Sequence, residues 1–308
     1  MNNQKGNISI MMLFAMIVIL GMTAMVIDLG NLMLEKQKLS DAVDAAAISG
    51  AQELVNGAEQ AKETAIQFAN ENGVMDPSIT VNVDNHKITV AGKRDVPFFF
   101  AKIFGFDHVL VESTATAQIK PLSGAKGIVP LSVVAPNPNA EDYGFQFGSL
   151  YTLKYDPFNV ANGNFGPLAL GGTGASNYEN NLLNGYISKL SINDSVKTET
   201  GNMSGPTERV IKERINLDAY DSECQTYDLA KKNRNCKRII YLPVIESLNL
   251  NGRETVKIIG FASFYIENVG GNGNDSYVTG RFMKNIYSGD WDDENTKDSG
   301  LYAVKLVK

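Results

Sequence analysis

The sequence predicts an α+β protein: an N-terminal transmembrane helix continuing into a long amphipathic helix packed on a small antiparallel sheet, followed by a mainly β C-terminal domain. Three observations carry this. Ile8 to Ile27 is an apolar run without one charged side chain. Apolar and small residues then recur at three- and four-residue steps, the helical period. From residue 78 onward, period-two alternation and dense Gly/Asn/Pro punctuation replace it.

Within the run only Ser9, Gly21 and Thr23 interrupt the apolar side chains. At about 1.5 Å per residue it reaches roughly 30 Å, the thickness of a bilayer's hydrocarbon core. A cleaved secretory signal has a shorter apolar region, about 7–15 residues, followed by small residues at the cleavage point. Here "TAMVID" offers no A-x-A. A buried core helix would need a protein able to surround all its faces. The run is therefore read as an uncleaved single-pass anchor in the cell membrane. Lys5 precedes it, and Lys36 and Lys38 follow it with Asp28 and Glu35, so Lys and Arg counts alone do not orient it. A long trailing domain translocates largely regardless of charge, and the two cysteines suit an oxidising compartment. Residues 1–7 are expected to be a cytoplasmic tail, 8–27 the span, and everything after Asp28 extracytoplasmic.

The helix is expected to continue past the span. Leu32, Leu39, Val43, Ala46, Ala47, Gly50 and Leu54 fall on one stripe, and no proline occurs before Pro77. Ala42, Ala45, Ala46, Ala47 and Ala51 keep that surface low. Leu39, Val43, Ala46 and Gly50 are thus candidate helix-packing residues. The stripe packs either on the protein's own strands, the usual fate of an amphipathic face, or against other helices in an assembly. Gly73, in "NENG", is the expected C-terminal cap.

"SITVNV" and "HKITVAG" alternate around Asp84-Asn85 as a hairpin, and "HVLVESTATAQIK" alternates again. Between them lies "VPFFFAKIFGF", expected in a helix-on-sheet core because large exposed apolar patches are unusual; an exposed patch docking a partner or membrane is the competing reading. A helix-plus-sheet module over 28–120 follows. "PLSGAKG", 121–127, reads as a linker, and 128–308 as a mainly β extracytoplasmic domain with strands at "YTLKYD", "KIIGFASFYI" and "YAVKLVK" and one helix in "YENNLLNGYI".

The net charge is -6. No clustered basic face is visible, so a nucleic-acid partner, which needs one to displace counterions, is not expected. Cys224 and Cys236 stand twelve apart without a CxxC or a nearby His, a spacing that fits a disulfide better than zinc. "GGTGAS" lacks the ending of a P-loop and the spacing of a dinucleotide fingerprint, and reads as a turn. His86 and His108 are the only histidines, and no G-x-S-x-G elbow accompanies them. "GGNGNDSY" and "SGDWDDEN" are rich in oxygen ligands without EF-hand spacing, and read as solvated loops. "GNMSGPT" reads as a turn cluster. No catalytic, cofactor-binding or metal-ligating residue is assigned.

The stretch "KGNISIMMLFAMIVILGMTAMVIDLGNLMLEKQKLSDAVDAAAISGA" resembles the N-terminal region of the TadE/TadG-like proteins of the tight-adherence (Flp) pilus assembly system. The echoes are Gly6-Asn7 before the span, Asp28 and Gly30 after it, and the "LEKQKLSDAVDAAAISGA" helix. Two family features are missing. Members processed by a prepilin peptidase carry Glu five residues after the cleavage Gly, and here that position is Met11. Longer members carry a von Willebrand A-type domain with a D-x-S-x-S metal signature, and "DSECQT" is not one. The resemblance implies a non-enzymatic, membrane-anchored pilus-assembly or minor-pilin-like protein of the bacterial surface, with pilus-assembly components or related pilin-like helices as partners. A membrane-tethered extracellular hydrolase with an active site in the β domain is the alternative.

Overall fold

The computed structural model describes residues 5–82, 86–155, 165–199, 202–248, 253–272, 275–292 and 296–307. The expected Asp84-Asn85 turn, residues 1–4 of the expected tail, Gly201 and parts of the "GGNGNDSY" and "SGDWDDEN" runs lie outside them. The fold is α+β, with a long apolar N-terminal helix and a mainly β C-terminal region. It divides into two compact units: Met1–Ile119 with the residues from Lys305 onward, and Lys120–Val304.

In the first unit, α1 runs from Lys5 to Glu53. Its apolar first half keeps every described side chain from Ile8 to Leu20 exposed, whereas Leu39, Val43, Ala46, Ala47 and Ala51 are fully buried. One helix is thus bare at one end and packed at the other. The helix does not continue to Gly73 as expected. It breaks at Leu54–Asn56, Gly57 takes φ 125°, and α2 (Ala58–Glu71) folds back as the second arm of a helical hairpin. Asn56-Gly57 supplies the turn: only glycine adopts that φ without strain. Gly73 does sit in the left-handed conformation just past α2, at φ 71°.

The hairpin rests on β1 (Met75–Asn82), β2 (Lys87–Pro97) and β3 (His108–Pro121), an antiparallel ladder in which Val90 stands opposite Ile79 on one side and Ala115 on the other. Ile88 and Val90 on β2 and Ala61, Ala65 and Ala69 on α2 are fully buried. Small residues set the spacing. A Cβ at Gly50 would lie 2.8 Å from that of Ala65, and one at Gly92 would lie 3.2 Å from Val43 Cγ1. Arg94 on β2 ties the layers together, bonding Glu35 of α1 at 3.2 Å and the carbonyl of Asn72 at 2.7 Å.

The second unit opens with β4 (Gly124–Ala125), β5 (Leu131–Val134), β6 (Leu150–Tyr155) and β7 (Phe165–Pro167). Then come α3 (Ala175–Asn184), β8 (Leu190–Ser191), β9 (Ser195–Lys197), α4 (Ser204–Leu217) and α5 (Tyr227–Ala230). The strands β10 (Ile239–Ile245), β11 (Thr255–Asn272), β12 (Asp275–Met283), β13 (Asn285–Ile286) and β14 (Leu301–Val307, of which the residues from Lys305 onward belong to the first unit) complete the order. The main sheet runs β6-β12-β11-β10-β5-β7, with β9 also paired to β11. Only the β10–β5 contact in it is parallel.

Alternation along its strands makes two cores. Leu242, Val244, Phe264 and Ile266 pack with Phe282 against Tyr178 and Leu182 of α3 and Val210 and Ile211 of α4. Ile245, Ile258 and Phe261 join Leu168, Leu190 and Val196 in the other cluster. The stretch 121–127, expected as a linker, is built into that second core: Leu122 and Ala125 are buried in it, since burying Leu122 gains more than leaving it in a tether. α4 begins as a helix within "GNMSGPT", where the residue types predict a turn cluster. Its buried Thr207, Val210, Ile211 and Arg214 keep helical spacing. The Arg214 guanidinium donates to the carbonyls of Leu182 and Leu183 at the end of α3 and of Lys237. Burial lowers its pKa to about 10, and it remains charged at neutral pH.

Candidate functional site

The site begins where the uncharged helical run ends. Asp28, the first charged residue after the run, is only 5 % exposed. Its Oδ1 accepts the backbone N–H of Phe99 at 2.7 Å, both oxygens receive that of Phe100 at 3.3 and 3.0 Å, and Oδ2 accepts that of Ala101 at 2.7 Å. Those amides open a 3-10 turn over Ala101–Phe104, between β2 and β3. The carboxylate thus caps a turn 71 residues distant in sequence. Desolvation pushes its pKa up, but the three amide donors outweigh that and hold it below the usual carboxylate value.

The cap fixes an apolar surface at that level. Of "VPFFFAKIFGF", expected in the core, Val96 is buried, but Phe99, Ile103, Phe104 and Phe106 are 60 to 81 % exposed and Phe100 is 39 % exposed. The physical reason is local. A tight 3-10 turn capped by Asp28 cannot fold back on the sheet, so its side chains point outward.

Of the candidate packing residues, Leu39, Val43, Ala46 and Gly50 are all buried, and α2 and β2 of the same unit cover them. A helix from another protein would have to displace α2 to reach this face.

Cys224 and Cys236 form a disulfide, with Cα atoms 5.4 Å apart. It closes a loop whose start is capped by Asp221 and Thr226 and whose end is held by Asp218, which accepts the N–H of Lys237 at 2.9 Å and of Arg238 at 2.7 Å. Asp218 and the two sulfurs lie within metal-binding distance of one another. Disulfide sulfurs are not thiolates, so this group does not make a zinc site.

The "GGTGAS" turn leads into α3 with Gly172 at φ 151° and Gly174 at φ 106°. The amide of Gly174 is taken by the Glu199 carboxylate at 3.0 Å, so an anion there would meet a negative charge already in place. A cleft of about 410 Å³ is lined by Tyr227, Asp228, Arg238, Tyr265, Glu267 and Arg281. Arg281 and Glu267 are paired at 2.6 Å within it, so those two charges offset each other. His86 and His108 belong to the first unit, at the edges of β2 and β3.

Comparison with known proteins bears on the N-terminal part alone. The family described as "Putative Flp pilus-assembly TadE/G-like" matches residues 6–53. No curated protein and no solved structure matches the chain. The matched stretch coincides with α1, whose most apolar window is long enough to cross a bilayer and is not buried in the protein, which fits a single-pass span and not the core helix of a soluble protein. Residues 6–53, which include the bare apolar run and the helix that buries Leu39, Val43 and Ala46, are thus similar to the TadE/G-like proteins of Flp pilus assembly.

Proposed function

We propose that the protein is a non-enzymatic, membrane-anchored pilus-assembly or minor-pilin-like component. Its residues 1–7 face the cytoplasm, 28–120 form a membrane-proximal module, and 128–308 are presented outside the cytoplasmic membrane. The observation that carries the reading is the coincidence of the TadE/G-like match with a bare apolar helix that becomes, without a break, the packed helix of a folded module. The Cys224–Cys236 disulfide supports the orientation, because such bonds persist in oxidising compartments. Met11, five residues after Gly6, argues against pilin-type processing, which leaves α1 as a lasting anchor.

The test combines topology with phenotype. Alkaline phosphatase fused after β3 should be active, and deletion of the gene should abolish surface filaments or the adhesion that depends on them. Filaments and adhesion unchanged in the deletion strain would sink the reading. So would a phosphatase fusion that is inactive where a cytoplasmic reporter at the same position is active.

A further inference from the structure

We propose that the Phe99–Phe106 segment is a second membrane contact: an interfacial wedge that enters the same leaflet through which α1 leaves the bilayer. The argument starts from height. Ile27 ends the uncharged run and Asp28 follows it, about 1.5 Å further along the helix axis. Because Asp28 itself accepts the amides of Phe99, Phe100 and Ala101, the 3-10 turn is held at the level where the span meets the headgroups. The turn cannot drift from that level without breaking those bonds.

The chemistry of the segment fits that depth. Phe99, Phe100, Ile103, Phe104 and Phe106 form one exposed apolar group, and Lys102 is the single cation among them. Apolar rings beside a lysine are the composition of an interfacial anchor: the rings enter the boundary between headgroups and acyl chains to about 5–10 Å, while the ammonium reaches back to phosphate. In water this would be an unusual exposed patch. Beside a span whose own side chains are bare, it continues the same lipid-facing surface. Burying Asp28 is consistent with this. A carboxylate at the edge of the hydrocarbon is costly unless its oxygens are satisfied, and the backbone of the wedge satisfies them. A lone helix can tilt and rotate about its axis. A helix with a wedge fixed to its exit point presents β2 and β3 to the membrane in one orientation.

The test uses the full-length protein in bilayers with lipids brominated either high on the acyl chain or near its end. Trp291 is the only tryptophan, so Trp291→Phe gives a silent background. Ile103→Trp and Phe104→Trp then place an indole at the two most exposed positions of the segment, where the fold does not depend on the side chain. Each should lose most of its emission to the shallow bromines, little to the deep ones, and be protected from aqueous acrylamide. Leu20→Trp in the same background reports the span and should be quenched by lipid bromines. Quenching at residue 20 with acrylamide access and no lipid quenching at 103 and 104 overturns the wedge alone. Insensitivity of 103 and 104 to both quenchers also overturns it, by showing that protein covers the segment. No lipid quenching at residue 20 overturns the span and the wedge together.

Discussion

Two glycines on α1 should respond to the same substitution with opposite signs. In Gly50→Ala the new Cβ would lie 2.7 Å from Ile88 Cδ1, 2.8 Å from Ala65 Cβ and 2.9 Å from the Ala61 carbonyl oxygen. Relaxed carbon–carbon contacts are about 3.5–4.0 Å, so the two methyl contacts are short by roughly an ångström and the contact to oxygen by somewhat less. The Ile88 methyl can rotate away. The Ala65 methyl and the Ala61 oxygen cannot, because they move only with α2. That places the overpacking cost toward the upper part of a range of about 1–3 kcal/mol, offset by about 1 kcal/mol of helix propensity regained. The net is a loss of about 1–2 kcal/mol in the helical hairpin. In Gly30→Ala nothing lies within 4 Å of the new methyl, so only the propensity gain of up to about 1 kcal/mol remains. Hydrogen exchange of α2 amides in the full-length protein reads the difference. Exchange should accelerate about tenfold in Gly50→Ala and stay level or slow in Gly30→Ala. Unchanged or slower α2 exchange in Gly50→Ala would refute the claim that α2 closes over this stripe.

Two further outcomes are expected. Asp28 has a depressed pKa, so the link it makes is complete above the ordinary carboxylate range near pH 4 and is lost as pH falls through the lower folded value; protection of the Phe99–Ala101 amides, corrected for intrinsic rate, should be flat near neutrality and fall only in acid, and a loss near pH 7 would contradict the cap. Replacing Cys224 and Cys236 together by alanine should cost the second unit about 3 kcal/mol by freeing the unfolded loop, read as a lower urea midpoint of Trp291 fluorescence; an unshifted midpoint would show that the loop is held by Asp218 and its neighbours alone.

The parts legible in the sequence were those set by short-range pattern. "SITVNV", "HKITVAG" and "HVLVESTATAQIK" announce β1, β2 and β3 by alternation, and the apolar run announces itself by its length. The helical hairpin was not read, although its signal was present: Asn56-Gly57 is a turn dipeptide, masked because the stripe keeps its phase through Ala61, Ala65 and Ala69 on the far side. α4 hid behind the Gly205-Pro206 at its start, though proline is tolerated in a first helical turn. The phenylalanine segment went wrong for a different reason. Burial was inferred from the hydrophobicity of its residues, whereas their position is dictated by Asp28, 71 residues earlier, a contact no local window contains. Strand order in the second unit, with β5 parallel to β10 across more than a hundred residues, is equally non-local.

The first unit is interrupted in sequence: the residues of β14 from Lys305 onward belong with it, and the entire second unit is made in between. β14 lies beside β3, on the side away from β2. During synthesis, α1, α2 and the first three strands are complete long before their last neighbour exists. For that interval β3 offers an open row of amides and carbonyls, the kind of edge to which a strand from any source can add. Completion of the first unit's sheet is thereby timed by synthesis of the second unit. A chain stalled or cut anywhere in the second unit would leave its anchor folded but its sheet unfinished, a defective intermediate that quality-control proteases could recognise by its open edge.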